Sequence, residues 1–250
     1  MLDGIDPLVV AVVAVAFFLG GMLKGAIGLG MPLVAIPIIA IVMPVAKAIP
    51  LMVAPAYLMN IIQARESWHA RTSLLPWWPV FIGIAVGVVI GVQFATNAPE
   101  SLMRGILGVT MIVFVLLSFA RIQLPQRTVE NPVAGLTMGG LTGLFGGLTG
   151  VFGPTLAMYL LARQLDKDRF VWIMAVVLLA GVSFLGSALT AVGGFSLDQL
   201  LGTLGVLIPG WAGLSAGALI RRRVSQEQFR KMALTTLLIM GISLLVATLG

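Results

Sequence analysis

Cysteine is absent from the chain, which excludes disulfides, thiolate nucleophiles and cysteine-ligated metals. One histidine, His69, is too few for a histidine metal cluster, so neither a metal nor another cofactor is expected. Charge is scarce as well: 10 % of the residues are Asp, Glu, Lys or Arg, against roughly 25 % in soluble domains. All nine acidic residues lie in termini, loops or the ends of apolar blocks. Carboxylate proton relays and Asp/Glu cation sites of the usual intramembrane kind are thereby disfavoured. No nucleophile, base and acid fall into a pattern suited to catalysis, so the chain does not read as an enzyme. The opening MLDGIDP carries two acids and no base, so no cleavable signal peptide is expected.

What is abundant is apolar sequence, 59 % of the chain. Blocks run at about 8–31, 33–43, 48–64, 76–96 and 102–120, then 132–152, 154–162, 170–193, 199–220 and 229–249. Most reach the roughly 20 residues that a helix needs to cross a bilayer. Their all-round apolarity, without period-two alternation, selects helices over a membrane β-barrel. The expected fold is an all-α polytopic membrane protein. The net charge of +6 does not imply nucleic acid, because the bases sit at helix ends and in short loops, the pattern of a lipid-embedded chain.

The chain repeats itself. Leu19 to Ala35 (LGGMLKGAIGLGMPLVA) and Leu141 to Ala157 (LTGLFGGLTGVFGPTLA) superpose at an offset of 122, bringing Gly21 onto Gly143, Gly25 onto Gly147, Gly28 onto Gly150 and Pro32 onto Pro154. Lys47 falls on Arg169 at the same offset, and Gly87, Gly91 and Arg104 fall on Gly213, Gly217 and Arg230 at 126. Each half thus has the order long, short, then three of spanning length. We divide the chain into membrane repeats at 1–121 and 122–250.

Basic residues orient them. Loops 65–75, 121–131, 163–169 and 221–231 hold twelve of the fifteen Lys and Arg, whereas 97–101 and 194–198 hold none. Placing the basic loops in the cytoplasm puts both termini outside. Equivalent loops of the two halves then fall on opposite sides, the signature of inverted-topology repeats. That topology requires each long–short pair, 8–43 and 132–162, to enter and return as a broken helix hairpin.

Glycine and proline make the break, since neither suits a helix interior. Pro32 and Pro154 read as helix starts capped by Met31 and Gly153. The first N–H groups of a helix lack internal partners and carry the positive end of its dipole, which suits an anion. Candidate contacts are Gly28, Gly30, Met31, Pro32 and Leu33, with Thr149, Gly150, Gly153, Pro154 and Thr155. Glycines farther from the prolines (Gly20, Gly21, Gly25, Gly139, Gly143, Gly147) favour helix packing. Lys24 is the one charge inside the first long block; it serves either as an anion-attracting charge or as a side chain that snorkels or bonds a broken-helix carbonyl. Asn60 and Gln63 share a helical face, as do Ser183 and Ser187; each pair suits either anion contact or interhelical bonding. Trp77 and Trp78 read as an interfacial belt, and His69 as a surface residue.

With these motifs in view, the chain resembles the TauE/SafE sulfite-exporter family, also called the four-toluene-sulfonate uptake permeases. The resemblance rests on KGAIGLGMPLVAIP, GGLTGVFGPTLAMY, GIAVGVVIG and GWAGLSAGALI, and covers nearly the whole chain. It implies a bacterial or archaeal cytoplasmic-membrane carrier for small sulfur-containing or organic anions such as sulfite, thiosulfate, sulfoacetate and related sulfonates. Some members relay thiosulfate on cysteines, a mechanism unavailable here, and Lys24 departs from the usual small or neutral residue. The expected mechanism is alternating access around a midplane anion site. A proton carried on the substrate is the coupling that the residues leave open, and monomer and homodimer stay open too. A passive anion channel and a non-transporting membrane scaffold are the alternatives.

Overall fold

The computed structural model describes residues 6–27, 30–120, 131–194, 203–223 and 226–249. Among them there is no strand. The helices are α1 (Pro7–Ile27), α2 (Pro32–Ile39), α3 (Val45–Glu66), α4 (Trp78–Asn97), α5 (Glu100–Ala120), α6 (Pro132–Thr149), α7 (Gly153–Ala162), α8 (Lys167–Ala191), α9 (Leu207–Arg223) and α10 (Gln226–Leu249), with single 3-10 turns at Trp68–Ala70, Leu75–Trp77 and Thr203–Val206. Four stretches of the described residues, Pro7–Ala26, Val45–Glu66, Leu75–Asn97 and Asp168–Ala191, are long and apolar enough to cross a bilayer. The chain is a multi-pass helical membrane protein.

The expected order recurs: a long helix, a short one, then three longer ones, twice. Both interruptions are present. α1 stops at Ile27 and α2 begins at Pro32 with Met31 as its cap. α6 stops at Thr149 because Gly150 turns left-handed (φ 73°), its N–H bonding the Gly146 carbonyl at 2.8 Å, a conformation open to glycine at little cost. One boundary differs from expectation. α7 starts at Gly153, so Phe152 takes the capping position and Pro154 is the second helical residue. Proline is tolerated there because no N–H of the first turn has an intrahelical acceptor.

Three of the other starts are capped by side chains. Asn131 accepts from Val133 N–H (2.9 Å) ahead of Pro132, and Asp166 from Arg169 N–H (2.9 Å). The start of α3 is capped from another helix: both Glu100 oxygens, at 3.0 and 3.1 Å, accept from Val45 N–H, while Oε1 also holds Arg104 Nε at 2.9 Å.

The chain forms two compact units, each drawing on both halves of the sequence. The first comprises Met1–Pro55, Pro99–Val115 and Leu197–Gly250; the second, Ala56–Ala98 and Leu116–Ser196. In the first unit α1 makes its main interface with α9. Side chains are excluded from that seam: a Cβ on Gly21 would strike the carbonyl of Gly210, and one on Gly213 or Gly217 those of Phe18 or Met22. Farther along this unit, α5 and α10 come together through Gly108 and Gly241. In the second unit the main interface joins α4 and α6. Gly83, Gly87 and Gly91 lie against α6 backbone, and Gly139, Gly143 and Gly147 against Val80, Ile84 and Val88. Small residues at every fourth position let helix backbones touch, and such packing holds helices together where lipid removes the hydrophobic drive.

Candidate functional site

Each unit contains one broken hairpin, and the two differ in chemistry. In the first unit Lys24 occupies the last turn of α1 and is 7 % exposed. Burying an ammonium within a membrane-spanning helix is costly, which makes Lys24 a candidate site residue. Met31 and Leu33 are buried, Pro32 and Gly30 half-buried. The first turn of α2 is tight: Leu33 N–H bonds Gly30 O at 3.2 Å and Val34 N–H bonds Met31 O at 3.3 Å. With proline at the remaining position, the amides of this helix start are engaged locally. Gly28, another expected contact, lies outside the described residues.

In the second unit the break is built differently. Thr149 is fully buried; its hydroxyl donates to Phe145 O (2.7 Å) and accepts from Val151 N–H (3.3 Å), closing the end of α6. The helical ladder of α7 opens with Leu156 N–H to Phe152 O at 3.4 Å. The Gly153 and Thr155 N–H groups precede that bond and have no partner within the helix. Gly153 and Pro154 are buried and Thr155 half-buried. The Phe152 ring packs against Gly146 and Gly181, where a Cβ on Gly146 would fall inside the ring.

The exchange between the hairpins is legible at the repeat offset. Lys24 aligns with Gly146, and Gly30 with Phe152. The first hairpin has a long cation and a small partner; the second has no side chain and an aromatic ring. The Lys24–Gly146 mismatch is visible at the offset of 122, whereas its complement at Phe152 emerges only from the packing.

The other candidates are distributed as follows. Asn60 is buried in the C-terminal part of α3, and Gln63, on the same face, is half-buried, its Oε1 shielded and without a hydrogen-bond partner among the described residues. Ser183 and Ser187 are exposed on α8 and donate to Leu179 O (2.8 Å) and Ser183 O (2.9 Å). These four share the second unit with the Thr149–Thr155 break; Lys24 and Gly30–Leu33 belong to the first. Among the described residues, no group of His, Asp or Glu suits a metal ion.

Some polar features went unnoticed in the sequence. Trp77 does not join an interfacial belt: it is buried, its ring edge-on to Tyr159 (6.2 Å between centroids) with the Arg163 guanidinium 4.9 Å from its centre. Trp78 is exposed. Adjacent tryptophans on a helix point about 100° apart, so one turns inward when the other faces out. His69 is exposed and meets Asp168 at 3.5 Å, tying the turn after α3 to the start of α8. Trp172 Nε1 and Thr142 Oγ1 are buried without a hydrogen-bond partner among the described residues.

A family model described as Sulfite exporter TauE/SafE matches residues 13–244. No curated protein and no solved structure matches the chain.

Proposed function

The chain belongs to the sulfite exporter TauE/SafE family, whose members are membrane transporters and not enzymes, and from that premise we propose a specific transport reading. The chain is a secondary carrier that exports small oxyanions of sulfur or carbon (sulfite, sulfoacetate and related sulfonates) across a bacterial or archaeal cytoplasmic membrane. Residues 1–121 and 122–250 are inverted repeats with both termini outside, and transport proceeds by alternating access.

One observation carries the chemistry. At the buried start of α7, the Gly153 and Thr155 N–H groups stand ahead of the first helical bond, in a segment whose side chains are apolar or small. Such amides attract an anion through direct donation and the helix dipole. Asn60 and Gln63, in the same unit, supply neutral polar contacts, and Lys24 is the buried basic residue of the first unit's own hairpin. The scarcity of carboxylates inside the apolar segments supports an anion path and disfavours a cation pump. Without such a carboxylate, the proton that couples transport rides on the substrate.

The test is counterflow of labelled sulfite in liposomes containing the purified protein. Saturable uptake, accelerated by unlabelled sulfite inside, is the expected result. Single-channel currents with no counterflow would replace the carrier by a pore. A thermal-shift panel of sulfite, thiosulfate, sulfoacetate, sulfolactate and dicarboxylates identifies the cargo, since selective binding raises the unfolding midpoint.

A further inference from the structure

Helix α7 is fastened at both ends, and the two fastenings differ. At its start, the Phe152 ring fills the space left by Gly146 on α6 and Gly181 on α8. At its finish, Arg163 is the capping residue, its N–H bonding Tyr159 O at 3.1 Å. Gln164 then turns left-handed (φ 51°), a conformation that is costly for a residue with a side chain. The helix therefore stops abruptly, and the Arg163 side chain reaches the turn ahead of α4.

There its guanidinium lies 4.9 Å from the centre of the Trp77 ring, which stands edge-on to the Tyr159 ring at 6.2 Å and 85°. Arg163 also hydrogen-bonds the Tyr159 side chain, as the donor, since a guanidinium has no acceptor. Trp77 and Tyr159 are buried and Arg163 is half-buried. On α6, Gly135 keeps the corner open: a Cβ there would press on Pro79 Cβ at 3.2 Å and touch the Tyr159 hydroxyl at 3.4 Å. The acids that follow in sequence are engaged elsewhere, Asp166 with Arg169 at 3.1 Å and Asp168 with His69 at 3.5 Å. The hold on Arg163 is thus a ring face and a hydroxyl. A half-buried guanidinium can leave them for water without stranding its charge, at less cost than withdrawing the Phe152 ring from its slot.

The first hairpin has no such clasp. At the offset of 122, Tyr159 falls on Pro37, inside α2, and Arg163 on the exposed Ile41. The clasp accompanies the hairpin whose Gly153 and Thr155 amides stand ahead of the first helical bond. As a helix of ten residues, α7 is a rod about 15 Å long, so whatever fixes its finish also directs its start. We propose that Arg163, gripped by Trp77 and Tyr159, is a positioning residue for transport. The clasp holds α7 in the attitude in which its amide start receives the anion, and its release lets that start move. The proposal rests on the transport reading above and adds to it the residues that set the attitude of the helix.

The test is the concentration dependence of sulfite counterflow in liposomes, joined to maleimide labelling of Thr155→Cys, which is unambiguous because the chain has no cysteine of its own. Arg163→Gln is expected to raise the half-saturating sulfite concentration about tenfold, the scale of a desolvated cation–π contact, with the maximal rate changed much less. Arg163→Lys, which keeps a cation for the ring, is expected to recover part of that loss, and Trp77→Leu to reproduce it. Adding Arg163→Gln to Thr155→Cys is expected to speed labelling in the absence of sulfite. Wild-type half-saturation in Arg163→Gln, or labelling no faster than in Thr155→Cys alone, would overturn the clasp. So would a lower unfolding midpoint with both readouts unchanged in the folded fraction, because the contact would then be structural only. If the wild type carries sulfite and the variants match it, the clasp falls while the transport reading stands. If the wild type carries no anion, the transport reading falls and takes the clasp with it.

Discussion

At the scale of single residues, the contrast between Lys24 and Gly146 shows how one aligned position serves two ends. Lys24 is a buried cation, whereas the absence of a side chain at Gly146 admits the Phe152 ring. Gly146→Ala is expected to force that ring out and to cost about 1–3 kcal/mol, as overpacking does. The readout is the thermal midpoint in detergent, with Phe152→Leu in the same chain restoring part of the loss. Lys24→Met is expected to lower sulfite counterflow at least tenfold, read against the folded yield of the same variant. The glycine and proline positions of the breaks were readable because their backbone restrictions are local. Phe152 as a cap, Trp77 turned inward and the unpaired Trp172 were not, since in an apolar run nothing local distinguishes a buried aromatic from a lipid-facing one.

At the scale of helices, what the sequence conveyed was order and interruption. The long, short and spanning segments, with starts near Pro32 and Pro154, follow from propensity and length. Partners were less accessible: glycines at every fourth position announce a close contact without saying which helix will meet them. The structure answers with α1 against α9 and α4 against α6. Neighbouring glycines then separate sharply. A Cβ on Gly139 would strike backbone at Val80, whereas one on Gly140 finds its nearest atom, Gly83 O, 4.0 Å away. Gly139→Ala is therefore expected to reduce the folded yield severely and Gly140→Ala hardly at all, as scored by size-exclusion chromatography after solubilisation. The cap that Glu100 lends to α3 was equally invisible, because its two partners, Val45 and Arg104, are 55 and 4 residues away in sequence. Glu100→Ala is expected to cost about 1 kcal/mol through the lost cap, seen as a lower thermal midpoint, with Glu100→Gln losing less.

For the whole molecule, the sequence halves and the compact units are different divisions. α1 and α2 pack with α9 and α10, while α4 packs with α6 and α8, and α7 lies against α6 and α8. A fragment of residues 122–250 accordingly lacks the α1 face that covers α9 and the α4 face that covers α6. Expressed alone, it is expected to be degraded, and co-expression with residues 1–121 is expected to restore protease-resistant material in the membrane. Accumulation of the lone fragment in a resistant form would show that the seams contribute little.

Where glycine meets backbone along α1–α9 and α4–α6, there is no layer of side chains to shear or repack. Each pair is consequently a stiff beam, and bending during a cargo cycle must be absorbed at its joints. In the second unit, the α4–α6 beam ends at the Thr149–Gly153 break. On the transport reading proposed above, the end of that beam and the uncommitted Gly153 and Thr155 amides coincide, so grip and stroke fall to one place in the chain.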